Sequence, residues 1–210
     1  MGIKENLEQI NSKIDNKATL VAVVKYASLE QIKEIIDLGV KNLGFNKYQQ
    51  FLEISQKIDL KNISSHFIGN IQSNKIKKIL ELNPFLIQSV NSLGLAIEIN
   101  KICQEKNKTP NVLLQIKTDS EKNSGFSFEE FEKYYGEIRN LKNINFKGLM
   151  TIPPEKEKIG EENLRKIFRQ MKELKEKYNF EILSMGMSED FEMAIQEGAN
   201  MIRIGRKLFS

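Results

Sequence analysis

Short, dense apolar runs alternate along this chain with longer stretches in which apolar residues recur every third or fourth position. These are the signatures of buried strands and of amphipathic helices. Eight runs read as strands: "TLVAVV", "NLGF", "SHFIG", "FLIQSV", "NVLLQIK", "INFKGLM", "EILSMG" and "MIRIG". The segments between them carry helix punctuation. Ser28 with Gln31 three residues on, and Ser127 with Glu130, fit capping boxes. Gly39 and Gly198 fall where helices should end. Segment 161–178 places Leu164, Ile167, Phe168, Met171, Leu174 and Tyr178 on one stripe, wide enough to cover a sheet.

Strict alternation of strand and helix implies parallel pairing with right-handed crossovers. Eight such units close into a TIM (β/α)8 barrel, which needs roughly 200 residues; the 210 residues here fit one α/β domain spanning 1–210. Only five residues follow "MIRIG", so the eighth helix is expected to be missing. The N-terminal stripe of Ile3, Leu7, Ile10 and Ile14 would cover that gap. An open doubly wound sheet is the competing fold, but it favours a glycine fingerprint after the first strand, and "VVKYAS" has no glycine.

Composition narrows the function classes. With 40% apolar and 29% charged residues the chain is an ordinary globular protein. Its net charge of +4 arises from lysines interleaved with acids, as in "PPEKEKIGEEN" and "KELKEKYN", a pattern of solvated helix faces that argues against nucleic acid as partner. The single cysteine, Cys103, has no internal disulfide partner and falls on the buried side of a helix. No membrane-length apolar run, signal core or myristoylation signal is present, so a cytoplasmic protein without membrane association is expected. One histidine and one cysteine make a His/Cys metal site implausible. "GNIQSNKI" has Asn74 and Ile76 where a P-loop requires glycine and Ser/Thr, and no GxSxG hydrolase elbow occurs.

In a barrel of this kind chemistry collects at the carboxyl ends of the strands. Lys25 ends the first strand, Asn46 follows the second and His66 lies in the third. "MTIPP", "SMGMS" and "RIGRK" follow the last three. Apolar neighbours around Lys25 would favour the uncharged amine that attacks a carbonyl; a lysine whose stem merely covers the rim is the alternative. Gly186 and Ser188 suit a phosphate site, with Ser188 also readable as a helix cap, while Glu189 and Asp190 would oppose an anion unless they face solvent. Arg203, between Ile202 and Ile204, needs an acceptor, either a carboxylate or the ring nitrogen of a ligand.

An amine nucleophile, a phosphate cradle and an arginine on one rim match the aldehyde, phosphate and ring nitrogen of pyridoxal 5′-phosphate. The chain resembles the YggS/PROSC family of pyridoxal phosphate homeostasis proteins, whose fold is similar to the barrel domain of alanine racemase. The resemblance runs through "LVAVVK", "GFNKYQQ", "HFIGNIQSNK", "QSVNS", "NSGFS", "GLMTIPP", "LSMGMSEDFEMAI" and "MIRIG". It implies a Schiff base on Lys25, a cofactor contact from Asn46, phosphate contacts from Ser184, Ser188, Gly205 and Arg206, Arg203 at the pyridine nitrogen, and Met150 near the cofactor. His66 is expected to be structural. Departures from the family pattern are Val24, Tyr26 and Ala27 around the lysine, Phe45 for an acid, Ser65 for a tryptophan, Asn91 for an acid and Arg206 for a threonine.

The resemblance implies a non-catalytic protein that holds pyridoxal phosphate and supports vitamin B6 and amino-acid homeostasis. It also implies apo forms of pyridoxal phosphate enzymes as candidate partners, and a monomer is expected, with a dimer left open. A racemase of the alanine racemase type is the alternative; it requires a second base opposite the lysine, and the chain is expected to lack the further domain of such enzymes. A cofactor-free class I aldolase acting on a sugar phosphate ranks last.

Overall fold

The computed structural model describes residues 2–119, 121 and 124–210; Asn123 of the "NSGFS" motif lies outside them. The eight strands are β1 (Thr19–Val23), β2 (Asn42–Phe45), β3 (Ser64–Phe67), β4 (Leu86–Val90), β5 (Asn111–Ile116), β6 (Asn145–Thr151), β7 (Ile182–Ser184) and β8 (Met201–Ile204). All neighbours pair in parallel, and β8 closes on β1 through Val21 opposite Arg203 and Ala22 opposite Ile204. The barrel predicted from the alternating pattern is therefore the fold.

Helix α1 (Ile3–Ile14) precedes the barrel, and α2 (Leu29–Asp37), α3 (Tyr48–Lys57), α4 (Ile76–Glu81), α5 (Leu93–Glu105) and α6 (Phe128–Ile138) cover the first five crossovers. A short α7 (Lys156–Ile159) leads into α8 (Glu161–Lys177); α9 (Phe191–Gln196) and α10 (Arg206–Phe209) complete the shell. Both capping boxes form: Ser28 and Ser127 accept from the amides of Gln31 and Glu130, whose side chains reach back to the cap amides. Gly39 and Gly198 take φ of 95° and 100°, the left-handed conformation that ends a helix at little cost only for glycine. Helix α8 buries Leu164, Phe168, Met171 and Leu174 as its stripe predicts, each contributing roughly 1.5–3 kcal/mol relative to exposure.

The eighth helix expected to be missing is present. A helix does form after β8, the four-residue α10, and α1 packs against it rather than replacing it. The amide of Asn6 donates to the carbonyls of Leu208 and Ser210, at 3.3 and 2.9 Å, satisfying two carbonyl groups at the end of the chain.

Two layers make up the core. Outward-facing strand residues pack under the helices, including Phe45, which stacks on Phe51 of α3 with ring centroids 4.4 Å apart. The acid-to-Phe45 departure therefore belongs to packing outside the barrel. Inside the barrel, Val21, Leu86, Leu113, Met150 and Met201 form a separate apolar cluster, and the polar residues His66, Gln88, Ser184 and Arg203 share that interior. Cys103 is buried and its thiol is pushed up by burial, which leaves it inert. No helix among the described residues is long and apolar enough to cross a membrane.

Candidate functional site at the carboxyl ends of the strands

Side chains alternate across a strand, so Val21, Val23 and Lys25 share one parity. Val21 lies in the barrel interior, and continuation of β1 by two residues carries Lys25 to the mouth. The carbonyl of Val24 is held by the side-chain amide of Gln50 at 2.7 Å, which fixes the turn that presents the lysine. Lys25 itself is exposed, so the partial desolvation expected from its apolar neighbours is absent from this structure. Its ammonium lies 4.7 Å from the centroid of the Tyr26 ring. That ammonium draws the Tyr26 phenol below its ordinary range, and Lys47 and Arg206 act in the same direction.

Asn46 follows β2 and is half-buried, yet its Oδ1 is shielded from water and has no hydrogen-bond partner among the described residues. A buried acceptor left unsatisfied costs about 1–3 kcal/mol, which a ligand donor can recover. The position of Asn46 depends on Gly69: a Cβ there would lie 1.8 Å from the Asn46 carbonyl oxygen. Only a residue without a side chain allows the segments leaving β2 and β3 to approach this closely.

Around β7 and β8 the chain builds a concave backbone surface. Gly186, at φ 93°, turns into residues 186–190, and Gly205 approaches Val23 so closely that a Cβ would lie 3.1 Å from its carbonyl oxygen. Among the described residues, the amides of Ser188, Glu189, Gly205 and Arg206 have no acceptor within the chain, while Lys207 donates its amide to Ser188 Oγ at 3.3 Å. Ser188 is not the cap of α9, as the sequence had suggested. Asp190 holds the N-cap position, and its Oδ1 accepts from the Met187 amide at 2.5 Å, bracing the loop from inside. Glu189 faces solvent, but Asp190 is buried, and desolvation pushes its carboxyl up against the opposing pull of the Met187 amide and of Arg203.

Arg203 points into the barrel. Its Nη1 donates to Ser184 Oγ and its Nη2 to the Thr151 carbonyl, each at 2.7 Å. Burial lowers its pKa to about 10, so it remains a cation at neutral pH. No carboxylate bonds to it among the described residues, and the salt-bridge alternative falls away. A buried cation resting on neutral acceptors is only partly compensated and suits a further acceptor from a ligand. Ser184 is fully buried, with its hydroxyl engaged between Gln88 and Arg203 rather than in the loop expected to hold phosphate. Met150 sits opposite Ser184 in the β6–β7 register, wholly buried in the inner cluster.

His66, expected to be structural, is buried between Asn42 and Gln88, and burial pushes its pKa down to about 4. Asn91 bonds to Asn70 and Ser124. A cavity of about 310 Å³ opens at the ends of β3, β5 and β6, lined by Ile68, Asn70, Gln115, Thr118, Ser124 and Ile152. The larger cavity, about 780 Å³, lies at the opposite end of the barrel beside Ser65 and Phe85 and touches none of these groups. Sequence reasoning missed Gln50, Gly69, Gln88 and Thr151. Gly69 alone had a signal, in "HFIG", since a glycine leaving a strand marks close backbone approach.

Residues 2–210 match the family model for the alanine racemase N-terminal domain. A pyridoxal phosphate homeostasis protein of Aquifex aeolicus is 36% identical over 202 residues, covering 93% of this chain and 87% of its own length. The chain belongs to the pyridoxal phosphate homeostasis protein family. A homologue bearing the same name in Helicobacter pylori is 38% identical over 193 residues, covering 90% of this chain and 86% of its own. PipY of Synechococcus elongatus, solved with PLP bound, superposes with a TM-score of 0.89 at 29% identity, covering 99% of this chain and all of that one. An alanine racemase of Clostridium difficile, at 18% identity and TM-score 0.80, shares the fold across 58% of its length. The family and fold implied by the sequence motifs are thus those of its relatives.

Proposed function

We propose that this chain binds pyridoxal 5′-phosphate at the carboxyl ends of β8, β1 and β2 and serves intracellular vitamin B6 and amino-acid homeostasis without turning over a substrate. Bound there, the cofactor supplies an aldehyde that a lysine amine can hold as a Schiff base. Lys25 provides that amine, and Asn46 offers its unpartnered Oδ1 to a ligand hydroxyl. Ser188 and the backbone of Gly205 and Arg206 receive the phosphate, Arg206 adding a cation where a hydroxyl is the family's usual choice. Arg203 donates to the ring nitrogen, and Met150 lies in the floor of inner residues below. Ser184 supports Arg203 rather than the phosphate.

The observation that carries this reading is Arg203, a buried guanidinium whose direct partners among the described residues are a hydroxyl and a carbonyl. It matches a neutral acceptor such as a pyridine nitrogen. PLP bound in PipY and the name shared by the relatives support the same assignment. A guanidinium there keeps the ring nitrogen unprotonated and weakens the ring as an electron sink, which favours holding the cofactor over racemisation.

Absorbance before and after borohydride tests the site. The wild-type protein is expected to show a visible band that borohydride abolishes, with the label on Lys25 by mass spectrometry, while Lys25→Ala lacks the band. Full retention of pyridoxal phosphate by Lys25→Ala after dialysis would refute the assignment. Formation of D-alanine from L-alanine by the pure protein, lost in Lys25→Ala, would replace it with a racemase.

A further inference from the structure

The polar groups inside the barrel form one ordered chain of hydrogen bonds. Arg203 Nη1 donates to Ser184 Oγ at 2.7 Å, and Ser184 Oγ donates to Gln88 Oε1 at 2.7 Å. Gln88 Nε2 then lies 2.9 Å from His66 Nδ1, and His66 Nε2 lies 3.1 Å from Asn42 Oδ1. The chemistry of each member dictates the direction. Arginine can only donate, so Ser184 accepts from it and has its one proton left for Gln88. The carbonyl end of the Gln88 amide is thereby taken, so its nitrogen end faces the histidine. His66 must accept at Nδ1 and carry its proton on Nε2, where the Asn42 oxygen receives it. His66, Gln88, Ser184 and Arg203 are all buried, so a reversed member has no water to compensate it.

We propose that Ser184 and Gln88 are positioning residues, oriented from below by His66, that fix the Arg203 guanidinium to face the ring nitrogen of the bound ligand. The proposal rests on the pyridoxal phosphate reading above. Two anchors define the plane of the guanidinium, the Ser184 hydroxyl on Nη1 and the Thr151 carbonyl on Nη2. Thr151 is itself tied down, its hydroxyl donating to the Ile116 carbonyl at 2.9 Å. Loss of the Ser184 oxygen leaves one anchor and a fork free to rotate about it. The phosphate contacts at Ser188 and Gly205 lie on other segments and would persist.

The test compares pyridoxal 5′-phosphate with its deaza analogue, in which carbon replaces the ring nitrogen, by absorbance titration of wild type, Ser184→Ala, Ser184→Thr and Gln88→Leu. Wild type is expected to prefer the natural ligand about tenfold. Ser184→Ala and Gln88→Leu should lose most of that preference while binding the analogue as wild type does, and Ser184→Thr, which restores the hydroxyl, should recover it. Equal losses for both ligands would mean that Ser184 acts on the phosphate or on folding generally, and would overturn the proposal. So would an unchanged preference. In the ligand-free protein, nitrogen NMR of the sole histidine should report a neutral ring protonated at Nε2; an Nδ1–H ring would break the donor order and overturn the network itself. If wild type bound neither ligand while His66 showed the Nε2–H form, the network would stand and the cofactor reading would be what failed.

Discussion

His66 offers the sharpest quantitative prediction, because it is the only histidine in the chain and is wholly buried. Its pKa falls from 6.5 to about 4 through desolvation. Between those values the unfolded chain binds a proton that the folded chain refuses, so stability rises with pH across the window and is lost as pH falls through it. The full shift corresponds to about 3 kcal/mol, most of which is lost between about pH 7.5 and about pH 4.5. The unprotonated ring is what the neighbours demand: Gln88 Nε2 faces Nδ1, so a proton there would set donor against donor. Urea unfolding at both pH values, for wild type and His66→Gln, isolates this contribution from the titrating carboxylates. Wild type is expected to lose roughly 2–3 kcal/mol more than the variant on acidification. Carbon–proton NMR of the imidazole should show a midpoint near 4. A midpoint at or above 6, or equal acid sensitivity of the two proteins, would refute the reasoning.

Other substitutions probe the scaffold and the site. Gly69→Ala drives a Cβ against the Asn46 carbonyl oxygen, 1.8 Å away, and backbone cannot yield as a side-chain tip can. A loss of at least 1–3 kcal/mol, about the cost of overpacking, is expected in urea unfolding, together with weakened pyridoxal phosphate binding. Phe45→Ala removes a fully buried ring stacked on Phe51 and should cost about 3–5 kcal/mol in the same assay, with the absorbance of any bound cofactor unchanged. Asp190→Asn keeps an acceptor for the Met187 amide but removes a buried carboxylate beside the proposed phosphate loop. It should tighten pyridoxal phosphate binding by a few fold in an absorbance titration; weaker binding would place the phosphate elsewhere.

The alternation of dense apolar runs with amphipathic stretches was enough to imply a parallel α/β fold, because each strand buries both faces and each helix only one stripe; the count of eight strands and the missing glycine fingerprint then favoured the barrel over an open sheet. Caps at Ser28 and Ser127 and stops at Gly39 and Gly198 were equally local, since each depends on groups within a few residues. The motifs named the family and brought Lys25, Asn46, Ser188, Arg203 and Gly205 into view. What each side chain touches was decided only by closure of the barrel. The resemblance implied a phosphate contact from Ser184, whereas β4, 96 residues away, places Gln88 against its hydroxyl, which also accepts from Arg203. Ser188 looked like a cap until Asp190 took that place and the amide of Lys207, from the next loop, reached its hydroxyl. Lys25, expected to be partly desolvated by its apolar neighbours, stands exposed on the turn beyond β1. Periodicity along a chain reports which face a residue presents, whereas partners across a closed sheet are set by register and shear between strands far apart in sequence, and no local pattern encodes those.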